Sequence, residues 1–169
     1  SYQKQTNKSA QDWSDVINLT FQLNESPNET FLQDVAEVVD IDQWLRFFAT
    51  NEVLNNEEGG LILGDQSGGD EYAMYRGSVD TRFQMVPVDL DEMFRSTKAP
   101  LVRFAGVTAL RRLVNHVDVL PEYGAQVWEL ANVVLTPDVV KSTLVEALGP
   151  LGTEAQVDSI VSFLDRRRD

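Results

Sequence analysis

The sequence predicts a mainly α domain that carries one small antiparallel β hairpin. Three observations point there. Val35, Val38, Val39, Ile41, Trp44, Leu45 and Phe48 recur close to the 3.6-residue helical period. Two short runs, "EYAMYR" and "RFQMVPV", read as strands joined by the turn segment "GSVDT". The last third is a series of apolar helical stripes punctuated by Pro and Gly.

Taken in order, residues 1–12 are polar and form a frayed tail, and residues 13–169 form the domain. "DWSDVINLTFQLN" carries Trp13, Val16, Ile17, Leu19 and Phe21 near helical spacing. "NESPNET" breaks it, with Pro27 and Asn28 turning the chain and Thr30 placed as an N-cap. The Val35-to-Phe48 stripe follows, with "VDIDQW" as a candidate break within it and Val53 and Leu54 as an extension. Residues 55–69 hold five glycines and no sustained period, so they form a loop. In the second strand, Phe83, Met85 and Pro87 share one face, and Pro87 ends the strand or sets it at an edge.

Residues 55–92 thus form an acidic loop and hairpin, and residues 95–169 a helical C-terminal part. "LVRFAGVTALRRLVNHV" is expected to bury Leu101, Phe104, Val107 or Thr108, Leu110 or Arg111, and Val114. "PEYGAQVWELANVVL" starts a helix at Pro121, with Tyr123, Val127, Leu130 and Val134 behind it. Thr136 and Pro137 open the next helix and Gly149 stops it. Thr153 and Gln156 form a capping box, and Arg166, Arg167 and Arg168 suit a helix C-terminus.

Composition narrows the function classes. With 169 residues and 43% hydrophobic residues, the chain supports one domain with a sizeable core. A net charge of −13 disfavours nucleic acid and anionic membrane, and favours divalent cations or basic proteins. No run approaches the ~18 apolar residues of a membrane span, and no signal-peptide pattern opens the chain, as in a mature or trimmed form. The absence of cysteine excludes disulfides and thiolate chemistry, and the single histidine, His116, leaves no multi-His zinc site. His116 itself reads as a packed or helix-surface residue. Four Asn-x-Ser/Thr sequons begin at Asn7, Asn18, Asn24 and Asn28; they mark surface if the protein passes through a eukaryotic secretory route.

Chemistry is concentrated in two acidic segments. "NEVLNNEEGG" places Glu57 and Glu58 just after a helix, and "VPVDLDEMF" sets Asp89, Asp91 and Glu92 behind Pro87. Carboxylate oxygens are the donors a hard divalent cation takes, while the same residues without a cation form only a solvated acidic loop. Alternation at the strand end allows one of Asp89 and Asp91 into a given pocket unless the chain bends. Tyr72, Met74 and Tyr75 read as strand and core residues rather than a nucleotide platform. "GDQSGGDE" lacks the spaced ligands and closing Glu of an EF-hand loop.

The order of a helix, "NEVLNNEEGG", "YAMYR" and "RFQMVPVDLDEMF", followed by several helices, resembles the CotH family of secreted, kinase-like proteins. In that family an Asn-x-Asp-Gly-like loop precedes a Tyr-rich strand, and a second strand ends in a "PWDLD-x-TF"-like motif. The likeness extends over roughly residues 12–169 and is strongest over 41–94. It implies the C-lobe of an atypical protein-kinase-like fold that transfers a phosphoryl group from ATP to Ser of extracellular or spore-coat proteins. It further implies ATP with Mg²⁺ or Mn²⁺ as cofactors, Ca²⁺ being an alternative cation. The implied setting is secreted, cell-surface or spore coat, with a protein substrate or extracellular partner protein, no nucleic acid and no membrane span.

Position by position, Asp89 matches the family's metal-holding aspartate, and Asp91 follows as its support. The Asn-x-Asp-Gly loop falls on Asn56, Glu57, Glu58 and Gly59, so the base-like aspartate is replaced by Glu58. That change moves a carboxylate by about 1.5 Å, enough to cost ~10²-fold where geometry is tight. The family's Asn before the strand falls on Glu71, and Val88 stands where the family has tryptophan. The loop also reads as longer than the family's, which brings Asp65 and Asp70 into consideration. Upstream of residue 34 no strand carries a Lys under a glycine-rich loop, so the phosphate-gripping N-lobe is not visible. Two readings follow: a kinase domain incomplete in this chain, or a catalytically inactive extracellular interaction or structural module, pseudokinase-like or Ca²⁺-binding.

Overall fold

The computed structural model describes residues 3–59, 71–102 and 107–168. Among them are helices α1 (Ser14–Glu25), α2 (Phe31–Val38) and α3 (Ile41–Leu54), strands β1 (Tyr72–Arg76) and β2 (Phe83–Pro87), and helices α4 (Thr108–Val114), α5 (Leu120–Glu129), α6 (Pro137–Leu148) and α7 (Glu154–Arg168). The predicted class, mostly helical with one antiparallel hairpin, is the class observed.

α3 is the centre. Trp44, Leu45, Phe48 and Ala49 are fully buried, and the hairpin, α5 and α7 pack on it. The break foreseen in "VDIDQW" is real: α2 ends at Val38, and the Asp40 side chain accepts from the Gln43 N–H to start α3. The C-terminal end of α3 is closed by Asn55 in the left-handed region (φ 47), which Asn tolerates better than most residues.

A two-stranded sheet is marginal by itself, and β2 is held from its other edge by α3. The Gln43 side chain donates to the Met85 carbonyl at 2.8 Å and accepts from the Met85 N–H at 2.8 Å, taking the place of a third strand. Trp44 Nε1 donates to the Phe83 carbonyl at 2.9 Å. Phe83 and Met85 face the core, as the alternation predicted, while Pro87 is exposed.

Two expectations need correction. On α1, Leu19 and Leu23 are buried, whereas Ile17 and Phe21 are 66% and 55% exposed. The stripe facing the core is therefore rotated from the one expected. Among the described residues of the segment from Leu101, the helix is α4; it buries Ala109, Leu110, Leu113 and Val114, so Leu110 rather than Arg111 faces inward. Phe104 lies outside the described residues. The remaining helix signals stand where they were placed: Pro137 opens α6, Gly149 (φ 49) closes it, and Thr153 and Gln156 exchange the capping-box bonds ahead of α7. Before α6, α5 runs into a π-helical turn, Leu130–Val134.

Candidate metal centre

The first arm of the site is the turn after α3. Asn56 is fully buried; its Nδ2 donates to Asn51 Oδ1 at 3.0 Å and its Oδ1 accepts from the Glu58 N–H at 3.2 Å. This side-chain-closed turn aims Glu58 away from the helix end. Asn51 is anchored in turn by its Nδ2 bond to the Phe47 carbonyl. Gly59 lies so close that an added Cβ would sit 2.4 Å from Asn51 Oδ1. Asn56, expected to line the site, has both ends of its amide engaged within the protein.

The second arm comes from the hairpin. Glu71, one residue before β1, donates its N–H to the Glu58 carbonyl at 3.4 Å and accepts from the Val88 N–H at 3.1 Å. β2 ends at Pro87, and Asp89 turns the chain in the left-handed region (φ 46). Two further backbone bonds, Glu57 N–H to Glu92 at 3.2 Å and Phe94 N–H to Leu54 at 2.9 Å, tie this segment back to the end of α3.

The result is a cluster of Glu58, Glu71 and Asp91, each with one carboxylate oxygen within 4.8 Å of the others. Glu58 and Glu71 are half-buried and Asp91 is exposed. Glu71 Oε2 is buried without a hydrogen-bond partner. Burial first, then a side-chain hydrogen bond with Glu58, and then the charges of Glu58, Asp91 and Asp89 push the Glu71 carboxyl up to about 7. Three converging carboxylates, one holding an unsatisfied buried oxygen, have the donor chemistry of a hard-cation site for Mg²⁺, Mn²⁺ or Ca²⁺.

Three of the five residues singled out from the sequence, Glu58, Glu71 and Asp91, form the cluster, and Asn56 and Asp89 lie beside it. Asp91 sits with Glu58 and Glu71, while Asp89 is exposed at the turn and acts on Glu71 through its charge. Nearby, Arg95 pairs with Glu92 and senses Glu57 and Asp91. Asp65 and Asp70 lie outside the described residues. His116 is remote from the cluster; its Nδ1 accepts from the Asp118 N–H at 3.3 Å, and its ring lies 6.2 Å from Phe31.

Two contributors escaped the sequence reading. Asn51 has a signal in retrospect, since a polar residue on the buried face of α3 needs a partner. Arg167 has none beyond its place in the Arg run. Its guanidinium donates to the carbonyls of Glu52 at 2.7 Å, Thr97 at 3.2 Å and Ala99 at 2.5 Å. Arg166 instead donates to Ser162 in its own helix at 3.1 Å, as a helix-terminal Arg was expected to do.

The family model described as CotH kinase protein matches residues 1–148. No curated protein matches the chain.

Proposed function

The chain belongs to the CotH kinase protein family, and on that footing we propose that Glu58, Glu71 and Asp91 hold a divalent cation that receives the phosphates of ATP for transfer to a protein hydroxyl. The observation that carries this reading is the buried, unpartnered Oε2 of Glu71 within a set of three converging carboxylates. When bound, the cation supplies the positive charge that draws in and offsets the β- and γ-phosphates. Asp91 and Glu71 are the principal ligands, Asp89 adds attraction from the rim, and Glu58 completes the cation's shell while standing where the family's base-like aspartate falls. Among the described residues no helix is long and apolar enough to cross a membrane.

A second reading, a cation-binding module without transfer activity, is favoured by Glu58 in place of the aspartate. Thermal unfolding with Mg²⁺, Mn²⁺ or Ca²⁺, each with and without ATP, separates the two. A ligand at ~100 times its Kd stabilises by about 2.7 kcal/mol. Stabilisation by metal and ATP together beyond metal alone supports the nucleotide site. Metal alone with no added effect of ATP supports the inactive module, and no shift with any cation overturns both.

A further inference from the structure

The arms of the acidic cluster are separate in sequence, and a residue outside the family-matched segment joins them. Arg167 lies near the C-terminus of α7, beyond residue 148, where the match ends. Its guanidinium donates on one side to the carbonyls of Glu52 and Val53, at 2.7 and 3.4 Å, and on the other to those of Thr97 and Ala99, at 3.2 and 2.5 Å. The first pair closes the C-terminal end of α3, where the helix dipole is negative and cations are favoured. That end runs directly into the turn that carries Glu58. The second pair lies on the chain leaving the segment that carries Asp91.

Independent contacts converge on the same junction. Phe163, one turn earlier on α7, packs edge-on against Phe94, with ring centres 5.4 Å apart at 75°. Phe94 holds a left-handed backbone (φ 64), a conformation that an aromatic residue keeps only when its surroundings impose it. The Phe94 N–H is held by the Leu54 carbonyl, and the Ser96 N–H by Asn55 Oδ1. A planar, permanently charged fork with five donors suits four carbonyls spread over two segments; a single ammonium does not.

We propose that Arg167 is a positioning residue for the acidic site: by clipping the end of α3 to the chain after Phe94, it sets the distance between Glu58 and Asp91 and so the affinity for a cation. This rests on the cation-site reading above. Groups that orient ligands from outside a metal's own shell commonly contribute 10- to 100-fold in affinity.

The test uses the full chain with Arg167→Met, the milder Arg167→Lys, and Leu23→Ala as a control that cavitates the core on α1, away from the acidic segments. Mn²⁺ binding is measured at a temperature where every variant is folded by circular dichroism, together with exchange rates of the Glu57, Phe94 and α1 amides. The expected result is Mn²⁺ binding weakened about tenfold or more in Arg167→Met and less in Arg167→Lys, with faster exchange at Glu57 and Phe94 and unchanged exchange in α1. Leu23→Ala should lower the melting temperature and leave Mn²⁺ affinity intact. Affinity and local exchange both equal to wild type in Arg167→Met overturn the proposal. If the wild type itself takes up no Mn²⁺, the cation reading fails, and the amide exchange alone decides whether Arg167 sets the junction.

Discussion

The backbone N–H of Glu71 donates to the carbonyl of Glu58, so two acidic residues thirteen positions apart in the sequence are held side by side with their carboxylates in one cluster. Like charges so placed raise the free energy of the fold unless a proton or a cation intervenes. The consequences are measurable.

Replacing Glu71 by Gln removes one charge and retains the side-chain shape. Without divalent cations at pH 8, Glu71→Gln is expected to stabilise the protein by on the order of 1 kcal/mol, or about 2–4 °C in Tm. With saturating Mn²⁺ the order reverses, because the variant lacks a ligand. Differential scanning calorimetry in chelator and in Mn²⁺ reads both halves.

The same residue gives a pH signature. The Glu71 carboxyl is raised from 4.5 to about 7, first by burial and then by its acidic neighbours. A carboxyl with a folded pKa above its unfolded one holds its proton more tightly when folded. Its contribution to stability is complete below about 4.5 and is lost as pH rises to about 7. The cation-free protein should therefore lose stability across this window relative to Glu71→Gln, whose slope lacks that component. Added Mg²⁺ should reverse the slope, since the cation requires the deprotonated carboxylate. Urea midpoints at half-unit pH intervals, for both proteins, make the comparison.

Gly59→Ala tests the turn. The new Cβ would meet Asn51 Oδ1 at 2.4 Å and Asn56 Nδ2 at 2.9 Å, both buried and bonded to each other. Overpacking of this kind costs about 1–3 kcal/mol. A lowered urea midpoint together with weaker Mn²⁺ binding is the expected result, because the displaced pair positions Glu58.

Gln43→Met tests how the hairpin is docked. Methionine fills similar volume but leaves the buried Met85 N–H and carbonyl without the Gln43 amide. Each orphaned backbone group costs about 1–3 kcal/mol. Chemical denaturation should show a loss of about 2–6 kcal/mol with an unchanged denaturant slope.

Much of this architecture can be read from the chain because it is local. The alternation of Phe83 and Met85, the Asp40 cap and the Thr153–Gln156 box each lie within a few residues of the structure they specify. The rotated stripe of α1 is less legible, since Ile17 and Phe21 are as apolar as Leu19 and Leu23, and only packing decides which pair is buried. The acidic cluster was legible as a set of residues but not as a geometry. Strand alternation stops at Pro87, and past the left-handed turn at Asp89 it is Asp91 whose carboxylate meets Glu58 and Glu71. The bonds of Arg167 to the carbonyls were illegible because those carbonyls lie up to 115 positions away and a backbone acceptor leaves no mark on the sequence.

The central claim is that Asp91, with Glu58 and Glu71, forms the cation site and that Asp89 stands at its rim. Calorimetric titration of Mn²⁺ into the wild type, Asp91→Asn and Asp89→Asn tests it most directly. The expected result is one site in the wild type, at least about tenfold weaker binding in Asp91→Asn, and a clearly smaller loss in Asp89→Asn. Wild-type affinity in Asp91→Asn, or a larger loss in Asp89→Asn than in Asp91→Asn, would contradict it.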